Sequence, residues 1–255
     1  MEIINMWKET RMVVLTALTA AVYAALLIPF KGIQIIPGIT EFRPAAVVPI
    51  VFGILFGPAG AWGSAIGNVI GDFFGTFGIG SIFGFFGNFF FSLTAYKIWS
   101  GFGKELSIKS RSDWGIFVLA VIVSSITCGF IIAWGLEVLK LLPFTALGSI
   151  IPINNSVAGI ILGPPVFLLL SHRVKKWGIY WKDILHPAEK KREVKAIGIL
   201  LLLLSILGGW ISGLLISSGK YNNILFAFKG VKGEPTITMG LIPFLLIYLI
   251  SLCFL

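Results

Sequence analysis

The sequence predicts an all-α integral membrane protein, a six-helix membrane core followed by two additional C-terminal transmembrane helices. Three observations predict it. Of its 255 residues, 57% are hydrophobic and only 12% charged, with a mean hydropathy of +0.97, which is too little polar surface to coat a water-soluble globule. Apolar runs approaching the 20 or so residues that cross a bilayer recur along the whole chain, broken by charge, Gly and Pro. The basic residues behind the formal charge of +9 cluster in the loops between those runs. They are not interleaved with aromatics as a nucleic-acid surface requires, so the positive-inside bias accounts for them and no nucleic acid partner is expected.

The first span is expected over 11–30. Lys8 and Arg11 precede it in the manner of a signal peptide, but the run from Met12 to Phe30 exceeds the usual hydrophobic region of about 7 to 15 residues, and it is read as retained. The second and third spans, 45–57 and 59–76, meet at Gly57-Pro58-Ala59 and form either a tight helical hairpin or a pair of broken helices. Further spans are expected over 80–99, 114–138, 150–171, 195–217 and 238–255. The domain organisation is then a six-span core over 1–180, a basic cytoplasmic linker over 181–194 and two further spans over 195–255. Cys128 and Cys253 fall inside apolar runs and are read as packing residues.

With the N-terminus inside, 14 of the 20 Lys and Arg residues fall on cytoplasmic segments, eight of them between Arg173 and Lys195. Lys31, Arg43, Lys140, Lys220, Lys229 and Lys232 fall outside. That asymmetry predicts a multi-pass cell-membrane protein with both termini cytoplasmic. The stretch from Arg173 to Lys195 is read as a solvated loop, with attraction to anionic membrane lipid as the alternative.

Two rows of small residues recur at four-residue spacing, which stacks them along one helix face. Gly63, Gly67, Gly71 and Gly75 are expected to pack within the chain. Ala17, Ala21 and Ala25 suit a neighbouring helix or a separate membrane subunit.

Polar side chains inside spans are costly, so those present mark a cavity or a partner. Glu41 and Arg43 sit at the outer mouth of the second span, and Asn68 and Asp72 share a face of the third. Asn88 lies about two turns into the fourth, Trp134 and Glu137 end the fifth, and Asn154 and Asn155 open the sixth, where capping is the alternative to ligand contact. Five segments thus bring amide, carboxylate, guanidinium and indole groups to similar depth on the outer side. The pattern predicts a pocket open to the outside, with aromatics from Phe42 to Phe86 available to stack a planar ligand. No P-loop, GxSxG, HExxH or Cys/His metal spacing occurs, and neither His172 nor His186 has an evident acid–base partner. No enzymatic chemistry, cofactor or metal is expected.

These residues resemble the substrate-binding S component of energy-coupling factor (ECF) transporters. The resemblance rests on Ala17, Ala21 and Ala25, on the loop ending Glu41-Phe42-Arg43-Pro44, and on Phe56-Gly57-Pro58-Ala59-Gly60-Ala61 leading to Gly67-Asn68-Val69-Ile70-Gly71-Asp72, and it covers residues 8–175. It implies a six-helix core that captures a vitamin-like micronutrient from outside. It also implies docking through the first-helix alanines on a transmembrane coupling subunit carrying two ATPase subunits, with residues 33–43 gating the pocket. Among subgroups, the Glu-Phe-Arg-Pro stretch is most similar to transporters proposed for queuosine precursors, and riboflavin-type members are also similar. The last two spans depart from the six-helix pattern and can either cover or extend the partner surface. A self-sufficient secondary transporter, with Asp72 or Glu41 carrying a coupling proton, and a non-transporting membrane scaffold remain the alternatives.

Overall fold

The computed structural model describes residues 2–36, 40–75, 77–188, 190–219 and 237–255. Its described residues are overwhelmingly α-helical. The elements are α1 (Glu2–Asn5), α2 (Thr10–Leu27), α3 (Val47–Phe56), α4 (Pro58–Asp72), α5 (Gly80–Gly101), α6 (Arg111–Val138), α7 (Phe144–Lys176), α8 (Trp181–Leu185), α9 (Arg192–Ser217) and α10 (Ile237–Phe254). A short antiparallel ribbon, β1 (Gln34–Ile36) with β2 (Thr40–Glu41), interrupts the helices between α2 and α3. Among the described residues, four stretches are long and apolar enough to cross a membrane: Thr10–Phe30, Arg111–Val138, Phe144–Leu185 and Arg192–Ser217. Each apolar run expected from the sequence contains one helix, although α3, α4 and α10 are individually short.

Local chemistry sets the breaks. A 3-10 turn at Ile28–Phe30, with Pro29 inside it, finishes α2, and a second at Pro44–Ala46 introduces α3. α3 and α4 are separated by Gly57 alone, which takes φ +56° before Pro58 opens the next helix. A side chain at Gly57 would meet the Trp181 ring, and one at Gly60 would meet the backbone of Phe52 and Gly53. The glycines therefore permit a sharp helical hairpin. At the same end of the bundle, Ser110 and Asp113 form a reciprocal capping box that starts α6, with Lys104 2.8 Å from the Asp113 carboxylate.

α7 corrects the expected sixth span. It begins at Phe144 rather than near 150 and runs for 33 residues, carrying Pro152, Pro164 and Pro165 within it. The Glu137 carboxylate accepts the Phe144 backbone N–H and, at 3.0 Å, the Ser217 hydroxyl. Glu137 therefore satisfies a free helix N-terminus and ties α6, α7 and α9 together. Asn154 and Asn155 consequently lie about three turns inside α7, so the capping reading fails.

One apolar core lies among α2 to α7, and a second joins α5, α6 and α7 to α9 and α10. The C-terminal pair is docked by polar contacts as well as packing. Thr94 and Tyr248 share a buried hydrogen bond of 2.8 Å, and the Trp210 indole donates to the Gly148 carbonyl at 2.5 Å. Cys128 is buried as expected, but Cys253 is exposed because it lies on the outward side of α10.

Candidate functional site

The glycine row of α4 brings α2 close enough for polar groups to meet. A Cβ on Gly67 would lie 2.7 Å from the Ala20 carbonyl, one on Gly71 2.5 Å from a Leu27 methyl, and one on Gly63 against Thr16 and Thr19. This is the intrachain packing the spacing predicts for three of the four glycines; Gly75 lies beyond the end of α4 and is exposed. The inward face of α2 is thereby fixed as Thr16, Thr19, Ala20, Tyr23, Ala24 and Leu27, all buried. Ala17, Ala21 and Ala25 occupy the opposite, exposed face.

At one end of the bundle, polar side chains from four segments form two neighbouring hydrogen-bonded groups. Lys31, just beyond α2, donates to Asp72 at 2.9 Å in an ion pair whose side chains are 7% and 10% exposed. The Asn68 amide donates to the other Asp72 oxygen at 3.1 Å and accepts a long contact from Arg43 at 3.5 Å. Asp72, for which solvation was the alternative, is thus buried and paired. Gly84 on α5 makes this possible, because a Cβ there would sit 2.8 Å from the Asn68 nitrogen. One turn further along α5, the Asn88 nitrogen donates to the Gly84 carbonyl at 2.8 Å while its oxygen accepts from Tyr23 at 2.7 Å.

Asn155 completes the group from α7. It is 1% exposed, and neither its carbonyl oxygen nor its amide nitrogen has a hydrogen-bond partner among the described residues. The Cys128 thiol, within electrostatic reach of Arg43 as well, lies beside it and is too weak a partner to satisfy the amide. Leaving such a group unpaired typically costs about 1–3 kcal/mol per donor or acceptor, so a buried carboxamide in this condition is suited to an incoming complementary group.

Of the residues expected at the site, Arg43, Asn68 and Asp72 are joined by hydrogen bonds, Asn88 lies one turn beyond the Gly84 that faces Asn68, and Asn155 and Arg43 both lie within reach of Cys128. Glu41 has its backbone in β2, paired with Gln34, while its side chain lies outside the described residues. Trp134 meets Phe83 edge-on at 6.3 Å and packs beside the second core, and Asn154 is half-buried on α7. The aromatic expectation needs correction: Phe42, Phe73, Phe74, Phe77 and Phe86 are exposed, with Phe73 and Phe77 stacked on each other at 4.2 Å. Phe42, Phe73, Phe74 and Phe77 lie in the segments that connect the helices, and Phe86 lies on α5, where Gly84 and Gly87 take inward positions.

Tyr23 and Lys31 were missed. Tyr23 alternates with the small residues of α2 and reads as packing until Asn88 is placed opposite it. Lys31 reads as a loop charge until the fold brings it to Asp72, 41 residues away. No group of three or more His, Cys, Asp or Glu residues suited to a metal occurs among the described residues.

A family model described as QueT transporter matches residues 13–172, more than half of the chain and all of the segments that build this network. No curated protein and no solved structure matches.

Proposed function

We propose that this chain, which belongs to the QueT transporter family of ECF S components, is the substrate-capture subunit of an uptake system for a small planar micronutrient of the queuosine-precursor type. Membership makes it a non-enzymatic membrane transport component. The finer reading is a six-helix binding core over 1–180, a basic linker over 181–194 and two added spans over 195–255. Both termini are cytoplasmic, and the polar network faces outward.

The observation that carries this reading is the buried Asn155 amide beside the linked Arg43–Asn68–Asp72 and Tyr23–Asn88 groups. A carboxamide offers one donor and one acceptor side by side, which matches the edge of a nitrogen heterocycle, and Arg43 adds a planar cation. Glu41, Trp134 and Asn154 belong to the same proposed site as rim contacts. In this reading the segment 33–43, of which residues 37–39 lie outside the described residues, gates the pocket.

The exposed Ala17, Ala21 and Ala25 supply the contact for a transmembrane coupling subunit and its two ATPases, since small side chains allow another helix to approach closely. The C-terminal pair supports this assignment, because it packs chiefly on α5, α6 and α7 and leaves the alanine face uncovered. A self-sufficient proton-coupled carrier is less well supported, because the Asp72 carboxylate is held by Lys31 at 2.9 Å.

The test is native mass spectrometry of gently purified chain. Retention of a planar heterocycle by the chain alone, without accumulation in liposomes unless the partners are added, is the expected result. Gradient-driven accumulation by the chain alone would overturn the assignment.

A further inference from the structure

The end of the bundle opposite the polar network carries a second cleft that nutrient capture does not use. Ser100 of α5 lines it, about 18 Å along the helix from Asn88. The cleft has a volume of about 330 Å³ and is walled by the Trp181 ring, Pro187 and Leu255. Its charged side chains are mostly basic: Lys182, Lys190, Lys195 and His186 line it, and Glu2 is the only acidic side chain among the described residues that line it. Glu2 is already committed, accepting from Lys97 at 2.6 Å and from the Tyr96 hydroxyl at 3.3 Å.

The cationic groups of this cleft come from α8, the segment after it and the first turn of α9, so the fold converges them from separate elements. The Lys182 ammonium lies 5.6 Å from the Trp181 ring centroid, which presents a charged rim above an apolar wall. Lys190 donates to the Cys253 carbonyl at 2.6 Å, which holds it at the cleft although its side chain is otherwise exposed. Its ammonium is pushed below the usual lysine range, first by partial burial and then by repulsion from Lys97, with Lys195 adding to it and Glu2 opposing it. A bound anion would relieve that repulsion.

We infer that this cleft is a binding site for a phosphate-bearing anion, seated between Lys190, Lys195, His186 and Lys182 at the junction of the core and the C-terminal helix pair. The lysines supply charge and hydrogen bonds to phosphate oxygens, and the Trp181 wall supports an apolar extension of the ligand. Basic pockets at the cytoplasmic ends of membrane helices bind lipid headgroups by this chemistry, and a free phosphate uses the same contacts without the wall. The cytoplasmic placement rests on the orientation proposed above; the site's chemistry does not.

The test uses the full chain in detergent, analysed by native mass spectrometry against phosphatidylglycerol, phosphatidylcholine and inorganic phosphate. Selective retention of phosphatidylglycerol over phosphatidylcholine supports the site with a lipid headgroup as its source. Competition by millimolar inorganic phosphate supports it with a free anion instead. Equal retention of both lipids, with no effect of phosphate, overturns it on wild-type protein alone. A K190Q/K195Q variant is expected to bind roughly thirtyfold more weakly, the loss for two near-surface lysines. A K175Q/K176Q variant removes the same charge from exposed positions and is expected to bind normally; an equal loss there would reduce the effect to general surface charge. Nutrient binding at the opposite end is measured in parallel, so failure of this site and failure of the capture reading are distinguishable.

Discussion

Two rows of small residues, alike in spacing, meet opposite fates in this molecule. The glycines of α4 are buried against α2, close enough that an added Cβ at Gly67 would lie 2.7 Å from the Ala20 carbonyl. The alanines at 17, 21 and 25 run along the other side of α2 and are exposed. Four-residue spacing therefore identifies a face that can accept a helix and says nothing of whether that helix belongs to the same chain. The difference lies in what flanks each row. The glycine row ends in Asn68 and Asp72, whose polar groups need internal partners, whereas Val13, Val14 and Leu18 lie exposed beside the alanine row and need none.

The largest effect should come from filling the buried row. Gly67→Leu drives four heavy atoms into the α2 backbone and is expected to cost about 3 kcal/mol or more, measured as loss of folded protein in thermal unfolding followed by size exclusion. Stability within experimental error of wild type would break the comparison. Ala21→Leu, one face away, should leave unfolding within about 0.5 kcal/mol of wild type. It should also leave ligand binding intact while abolishing co-purification with the coupling subunit and hence uptake. Loss of binding by the purified chain would show that the alanine face serves the fold.

A smaller effect is expected at Gly84, where the approach is to a side chain. Gly84→Ala places a methyl about 2.8 Å from the Asn68 nitrogen, so Asn68 must shift. Ligand affinity should fall by roughly tenfold, about 1.4 kcal/mol, with a near-normal melting temperature. The smallest effect is expected far from both rows. Tyr248→Phe removes the hydroxyl shared with Thr94 and should cost about 1 kcal/mol of stability without changing ligand affinity.

The fold was largely legible in the sequence because lipid as solvent demands long apolar runs, and Gly and Pro punctuate them. The α3–α4 break at Gly57-Pro58 and the inward glycine row follow from those rules. The start of α7 was misread because it depends on Glu137, an acid in the preceding helix whose role as a helix-terminus acceptor appears only once the chain turns back. At the site, helix direction brings Asn68, Asp72 and Asn88 to one end of the bundle, whereas Asn155 lies farther inside its helix than the expected start near 150 implies. The partners of Asn88 and Asp72 were not legible, since Tyr23 and Lys31 reach them over 65 and 41 residues. The outward-facing phenylalanines have a different cause: Phe42, Phe73, Phe74 and Phe77 lie in connecting segments, and on α5 the glycines packed toward α6 leave Phe86 turned outward.

The central claim is that the polar end of the bundle is a capture pocket read by the Asn155 amide. It is tested most directly by equilibrium binding of the heterocycle identified by mass spectrometry to purified wild-type chain and to the Asn155→Leu and Arg43→Ala variants, without partner subunits. Saturable binding by wild type, reduced at least tenfold in each variant while both remain folded, is the predicted result. Unchanged affinity in both variants would contradict it.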